Sequence, residues 1–364
     1  MKPVDARPDG EDWACAHADA LDEGSARVDV LARFAQERLT RIGVPRALGG
    51  DGGTAADMTQ AIADLARRSL TAAFMLWGHR CYAEYVVQSD NPALRERALP
   101  ALLDGRHAGA TGMSNAMKFL GGLEALQIQA TPLTAGDSGQ PRWRIDGRLP
   151  WVTHLRPGGF SVAAAVQPAD GGPAPVFAFH ASQPGVRRSD DLPLIALRGS
   201  QTAAVALDGV IADSSDRLHH DLQAWLPHVR PQFLGLQCGL SIGLAHASLA
   251  AARSQLGPAR GSALAERIAQ RDRALAADTD ALLTGLAQGR FGPDPAALFR
   301  LRIALAAHAQ DAVTLELQAS GGRAYLQDQC AGFARRWREA AFIPVITPSL
   351  TQLETQLARQ ARPS

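Results

Sequence analysis

The chain is poor in the groups that define several protein classes. Its 364 residues hold four cysteines, Cys15, Cys81, Cys238 and Cys330, far apart and without a CxxC pair. That spacing gives neither a disulfide framework nor a cysteine-based zinc site, and fits reduced thiols. Lysine is nearly missing, with Lys2 and Lys118 beside a large set of arginines. No sign of charge is in excess: 37 basic and 36 acidic residues leave a formal net charge of +1. Nothing here steers the protein towards nucleic acid or an acidic surface. The first ten residues contain no apolar leader core, and no uninterrupted apolar run reaches bilayer length. Repeats and low-complexity segments are absent too. A soluble cytoplasmic protein without nucleic-acid or membrane partners is expected.

What is present is ordinary globular material, 46% hydrophobic and 20% charged. The length allows two or three domains, or one multilayer unit. Up to about residue 107 the pattern is helical: Val28, Leu31, Phe34, Ala35 and Leu39 recur at helical spacing, as do Met58, Ile62, Leu65 and Ala66. Ile42–Pro45 and Gly49–Gly53 punctuate these stretches as loop. A further helix from Leu70 to Gln88 carries Trp77, His79 and Tyr82, and Ala93 to Leu103 forms the next. From about 108 to 222 the period falls to two, in Leu126–Ala130, Trp143–Asp146 and Val176–Phe179, with Thr202–Val210 as the last clear strand. Beyond that, Leu234–Gln255, Ser262–Gln288, Pro295–Ser320 and Gln327–Phe342 read as four long helices, which pack most simply as an antiparallel bundle. The expected class is α+β, with domains at 1–107, 108–222 and 223–364.

Several short segments then fall in a suggestive order. Val44-Pro45 precedes Gly49-Gly50-Asp51-Gly52, and Leu99-Pro100 to Gly105 precedes the first strand. Gly112-Met113-Ser114-Asn115 follows, then Trp151-Val152-Thr153, Arg253 with Gly257, and Gln318 with Gly321-Gly322. In this register the chain resembles the acyl-CoA dehydrogenase superfamily from about Phe34 to Arg359. Such a resemblance implies an N-terminal helical domain, a central β-barrel domain and a C-terminal four-helix bundle. It also implies bound FAD, with Met113, Ser114, Trp151, Thr153 and Ser349 among the cofactor contacts. Thr153 would face flavin N5 and Trp151 would pack on the ring, excluding water. Arg253, Gln318, Gly321 and Gly322 would reach across a dimer interface to the diphosphate and adenine of FAD. A homodimer or homotetramer follows. These last four residues favour FAD over FMN, which has no ADP half.

One element of the family pattern is missing. Its catalytic glutamate lies nine residues after an arginine; counting from Arg338 gives Thr347, in Ile346-Thr347-Pro348-Ser349. A threonine hydroxyl is far too weak a base to deprotonate the α-carbon of a thioester unaided. The alternative family position, in Pro231-Gln232-Phe233-Leu234-Gly235, carries no carboxylate either, and Glu354 is read as a solvated residue of the terminal helix. Relatives that have lost the glutamate, such as the dibenzothiophene monooxygenase and hydroxyphenylacetate hydroxylase groups, use reduced flavin and oxygen. Such chemistry needs a donor near the ring, and Ser114, His79 and Thr347 are the catalytic candidates. For His79 a satisfied core or surface histidine is the competing reading. His219, His220 and His228 lie in or near a loop without metal-ligand spacing.

Three functions stay open at this point. The leading one is an FAD-dependent oxidoreductase of monooxygenase type acting on a small organic substrate, supplied by a flavin reductase. An acyl-CoA dehydrogenase with an atypical base, passing electrons to an electron-transfer flavoprotein, is the second. A catalytically silent flavoprotein or scaffold is the third.

Overall fold

The computed structural model describes residues 12–134, 141–257, 262–326 and 329–360. Six helices come first: α1 (Trp13–Ala16), α2 (Ala18–Glu23), α3 (Val30–Gln36), α4 (Ala55–Ala66), α5 (Leu70–Val87) and α6 (Pro92–Leu103). Their starts are written in the sequence. Thr54 and Asp57 form a reciprocal capping box for α4, Ser69 caps α5, and Asn91 caps α6 with Pro92 at its first position. Helix α5 is buried from Leu70 to Val86 without a polar stripe, so it lies inside the molecule, not on its surface.

The middle region holds β1 (Ala108–Thr111), α7 (Ser114–Leu120), β2 (Gln129–Leu133), β3 (Arg142–Val152), β4 (Phe160–Ala165), β5 (Gln167–Pro168), β6 (Val176–His180), β7 (Val186–Asp191), β8 (Ala203–Asp213) and β9 (Arg217–His219). Two sheets result, in the orders β1-β4-β6-β9 and β5-β2-β3-β8-β7. Leu126, Ile128 and Ala130 do alternate inward, yet β2 begins at Gln129, where pairing with Asp146 of β3 starts. Strand β9 follows the strand expected to be last.

The C-terminal region contains α8 (Leu222–Gln255), α9 (Ser262–Ala287), α10 (Pro295–Ser320), α11 (Phe333–Phe342) and α12 (Leu350–Gln360). Helix α8 starts twelve residues earlier than the expected Leu234, capped by Asp221 and carrying Pro227 and Pro231 inside it. Each proline removes one helical hydrogen bond; burial of Leu222, Trp225, Leu226 and Val229 in the same turns outweighs that loss. By length and composition α8 could cross a membrane, but 83% of its most apolar window is buried within the protein. Close approach to α4 is possible because α8 carries glycine there. A Cβ at Gly239 would lie 2.7 Å from the Thr59 carbonyl oxygen, and one at Gly243 would lie closer still to that of Ala63. The last expected bundle helix starts at Phe333 instead of Gln327, which falls outside the described residues.

Candidate active site

Three regions of the chain converge where β3 ends. The β3–β8 ladder pairs Leu149 with Val205 and next pairs Val152 with Ala203, so β3 carries one extra residue. That insertion falls on Pro150 and Trp151, and proline has no N–H to give a ladder. The local sequence therefore breaks the strand where Trp151 turns outward. Trp151 is 44% exposed, whereas Val152 and Thr153, the next two residues, are buried.

Beside Trp151 opens a cavity of about 370 Å3, a size suited to a small molecule. Part of its lining is aromatic. Phe74 and Trp77 of α5 stack at 5.5 Å, Phe233 of α8 lies 5.2 Å from Trp77, and Phe342 meets Phe74 edge-on at 5.0 Å. Phe342 also lies 6.4 Å from Trp151 with the rings 22° apart. Trp77 Nε1 donates to the Phe233 carbonyl at 3.1 Å, so this apolar surface hides no unpaired donor.

Another part of the lining is polar and comes from α7 and the loop after it. Asn115 Nδ2 donates to Glu124 Oε1 at 2.8 Å and to the Ala125 carbonyl at 2.9 Å, and its Oδ1 accepts from the Gln127 N–H at 2.9 Å. Lys118 Nζ stands 3.4 Å from Glu124 Oε2. Both charged side chains are about one-third exposed (33% and 29%), so the pair adds at most about 1 kcal/mol. Its effect is to orient a carboxylate and an ammonium on the cavity. Among the described residues Glu124 is the only carboxylate lining the cavity.

Thr347 completes the site beside Val345 and Ile346. Its carbonyl accepts from Gln237 Nε2 at 3.1 Å, and Gln237 Oε1 accepts from Arg302 Nε at 2.7 Å. Arg302 is fully buried, with Nη2 on the Ile343 carbonyl at 2.8 Å and no protein partner for Nη1 among the described residues. Burial pushes its pKa down. A buried cation thus anchors both ends of the 343–347 turn.

The structure brings only some of the expected site residues together. Ser114, Trp151, Thr153 and Thr347 meet on the cavity. Thr153 is fixed from behind by a chain of hydroxyls, 2.8 Å to Thr202 Oγ1, which is 2.7 Å from Ser200 Oγ. Met113 is fully buried between the lining residues Gly112 and Ser114, and Ser349 is bonded to Gln352 at the start of α12. Arg253, Gln318, Gly321 and Gly322 do not line the cavity. Arg253 pairs with Asp272 at 2.7 Å and Gln318 accepts from Arg267 at 2.8 Å. Gly321 takes φ +60°, and a Cβ on it or on Gly322 would meet nothing within 4 Å. These four residues gather where the C-terminal ends of α8 and α10 come together, joined by Arg323 to Gln255 at 2.8 Å.

His79, the remaining catalytic candidate, lies apart from the cavity. It is fully buried, bonds the Leu102 carbonyl at 3.1 Å, accepts from the Gly109 N–H at 3.1 Å and does not reach the cavity. Burial, with His154 5.5 Å away, holds its pKa well below the ordinary value. The residues that sequence reasoning missed are Phe74, Phe233, Phe342, Lys118, Glu124 and Gln127. Lys118 alone carried a signal, as one of two lysines.

The comparisons with known proteins agree with this architecture. Residues 11–106 match the family described as acyl-CoA dehydrogenase, N-terminal domain. Butyryl-CoA dehydrogenase from Megasphaera elsdenii superposes with a TM-score of 0.82 at 18% identity, covering 96% of this chain and 94% of that one. Nitrososynthase from Micromonospora carbonacea var. africana gives 0.76 at 21%, covering 97% and 94%. PigA, solved with FAD and proline, gives 0.74 at 17%, covering 96% and 95%. No curated protein sequence matches. The fold is that of the acyl-CoA dehydrogenases. The family match covers the N-terminal helical region, and the likeness over the rest of the chain is one of fold.

Proposed function

We propose that the protein is an FAD-dependent oxidoreductase that oxidises a small, partly apolar organic substrate with reduced flavin and oxygen, not by base-assisted desaturation of a thioester. The observation that carries this reading is the cavity itself: Trp151, Thr153, Ser114 and Thr347 line it together, and Thr347 is the residue that the sequence resemblance sets in the glutamate's place. The residues suit a flavin, since a half-exposed indole beside a cavity offers a flat face for a flat ring. Trp151, Ser114 and Thr153 would hold the ring. Arg253, Gln318, Gly321 and Gly322 of a second copy would hold the ADP half, because within one chain they lie away from the cavity. The protein would then act as a homo-oligomer. FAD supplies hydride acceptance and, once reduced, reaction with oxygen.

The chain's own contribution follows from the lining. Phe74, Trp77, Phe233 and Phe342 bind an apolar body and exclude water. Asn115, Lys118 and Glu124 orient its polar end. Ser114 offers a hydroxyl that can donate a proton.

A second reading, true acyl-CoA dehydrogenation, draws on Glu124, an ionisable carboxylate on the same cavity. The test is an anaerobic titration of the flavin-loaded protein with acyl-CoAs of several chain lengths, following the flavin absorbance band. Retention of the oxidised band supports the oxygen-using reading. Bleaching overturns it, and bleaching lost in Glu124→Gln makes Glu124 the base.

A further inference from the structure

A second polar cluster lies outside the cavity, at the corner where β9 runs into α8. His219 and His220 stack face to face, with centroids 4.6 Å apart and planes 19° apart. Consecutive residues of a strand normally point to opposite faces; here the strand is ending, and the two rings lie on one side. Asp90, from the turn between α5 and α6, reaches the same point. Its Oδ2 lies 2.7 Å from His220 Nδ1 and 3.9 Å from His219 Nε2. One ligand atom from each residue lies within 4.8 Å of the other two.

The cluster is built from behind on both sides. The Ser89 hydroxyl donates to the Leu218 carbonyl at 2.6 Å, and Asn91 Nδ2 donates to the Arg217 carbonyl at 3.2 Å. The residues flanking Asp90 are thereby bonded to the strand that ends in His219. His219 Nδ1 is engaged by Asp221, 2.8 Å from its carbonyl and 3.1 Å from its N–H, so Nε2 is the ring nitrogen on the side of Asp90. Trp225 stacks behind His219 at 5.7 Å and 14° and donates to the Gln88 carbonyl at 3.1 Å, fixing the ring's plane.

We propose that Asp90, His219 and His220 form a binding site for a divalent transition-metal cation of the zinc type. Two imidazole nitrogens and one carboxylate oxygen are the donor set such ions take, with water filling the fourth position. Carboxylate alone would suit calcium or magnesium; paired imidazoles favour zinc, nickel or copper. A bound ion would clip the α5–α6 turn to the β9–α8 corner, two places 129 residues apart in sequence by the separation of Asp90 and His219. The site lies on the surface, with the His220 side chain 61% exposed, so an ion can enter without the protein opening.

The experiment is Zn2+ titration of the purified, untagged protein by calorimetry, beside thermal melts with and without Zn2+. One ion per chain and a melting temperature raised by Zn2+ are expected. His220→Ala and Asp90→Asn should each lower Zn2+ affinity by about tenfold or more and abolish the rise. Both residues are open enough to solvent to be replaced without emptying the core. Ni2+ or Cu2+ should quench part of the tryptophan fluorescence through Trp225, and that quenching should vanish in His219→Ala. Zn2+ binding of equal strength and stoichiometry in His220→Ala and Asp90→Asn would overturn the proposal, as would the absence of stoichiometric binding in the parent protein.

Discussion

Single residues decide the chemistry available at the cavity. Thr347 lies on the cavity wall, and its hydroxyl cannot serve as the base of a desaturation. Thr347→Glu is therefore expected to create acyl-CoA-dependent bleaching of the flavin where the parent shows none. A variant that stays yellow with every chain length would mean that the cavity no longer admits a thioester. Trp151 is different, because its contribution is contact area. Trp151→Ala should weaken flavin retention about tenfold, the ~1.4 kcal/mol that one aromatic contact supplies; unchanged occupancy after gel filtration would remove Trp151 from the flavin site. Trp151 and Thr153 were legible in the sequence because they lie two residues apart in one short segment, so their neighbourhood is local. Glu124 was not, because nothing near it in sequence reveals that Asn115 turns it onto the cavity.

At the scale of elements, the turn bearing Thr347 is held by a glutamine between helices. Gln237→Leu would leave Arg302 Nε and the Thr347 carbonyl without partners in the interior. A loss of about 1–3 kcal/mol is expected, read as a lower midpoint in urea, together with a weakened hold on any ligand beside Thr347. No change in the midpoint would show that the turn is fixed from elsewhere. The helices themselves were largely readable, since Ser69, Asn91 with Pro92, and Asp294 with Pro295 mark their starts. Helix α8 departs most from expectation. It starts well before the expected Leu234, through Pro227 and Pro231, where tertiary burial of Trp225 and its neighbours outweighs the cost of proline.

The molecule as a whole carries buried neutral histidines whose protonation opposes folding. His154 is pushed down to about 4 by burial, His180 likewise to about 4 by burial first and His107 second, and His79 lies well below 6.5. A depressed histidine is neutral in the fold but takes a proton in the unfolded chain below about pH 6.5. The unfolded state then binds more protons, so stability is full above pH 6.5 and falls as pH drops towards 4. His154 alone accounts for roughly 3 kcal/mol across that window. Melting temperatures at pH 7 and pH 5 should differ accordingly, and His154→Gln should flatten the slope; a profile with the same slope in that variant would rule His154 out as a contributor.

The scarcity of lysine has a practical consequence. Among the described residues Lys118 is the only primary amine on a side chain, and it stands on the cavity wall. An amine-directed reagent of modest size would therefore report on one address within the folded body. Occupancy of the cavity becomes visible as protection of a single peptide in a mass spectrum. Candidate substrates could be ranked by how well each shields that amine, before any turnover is known.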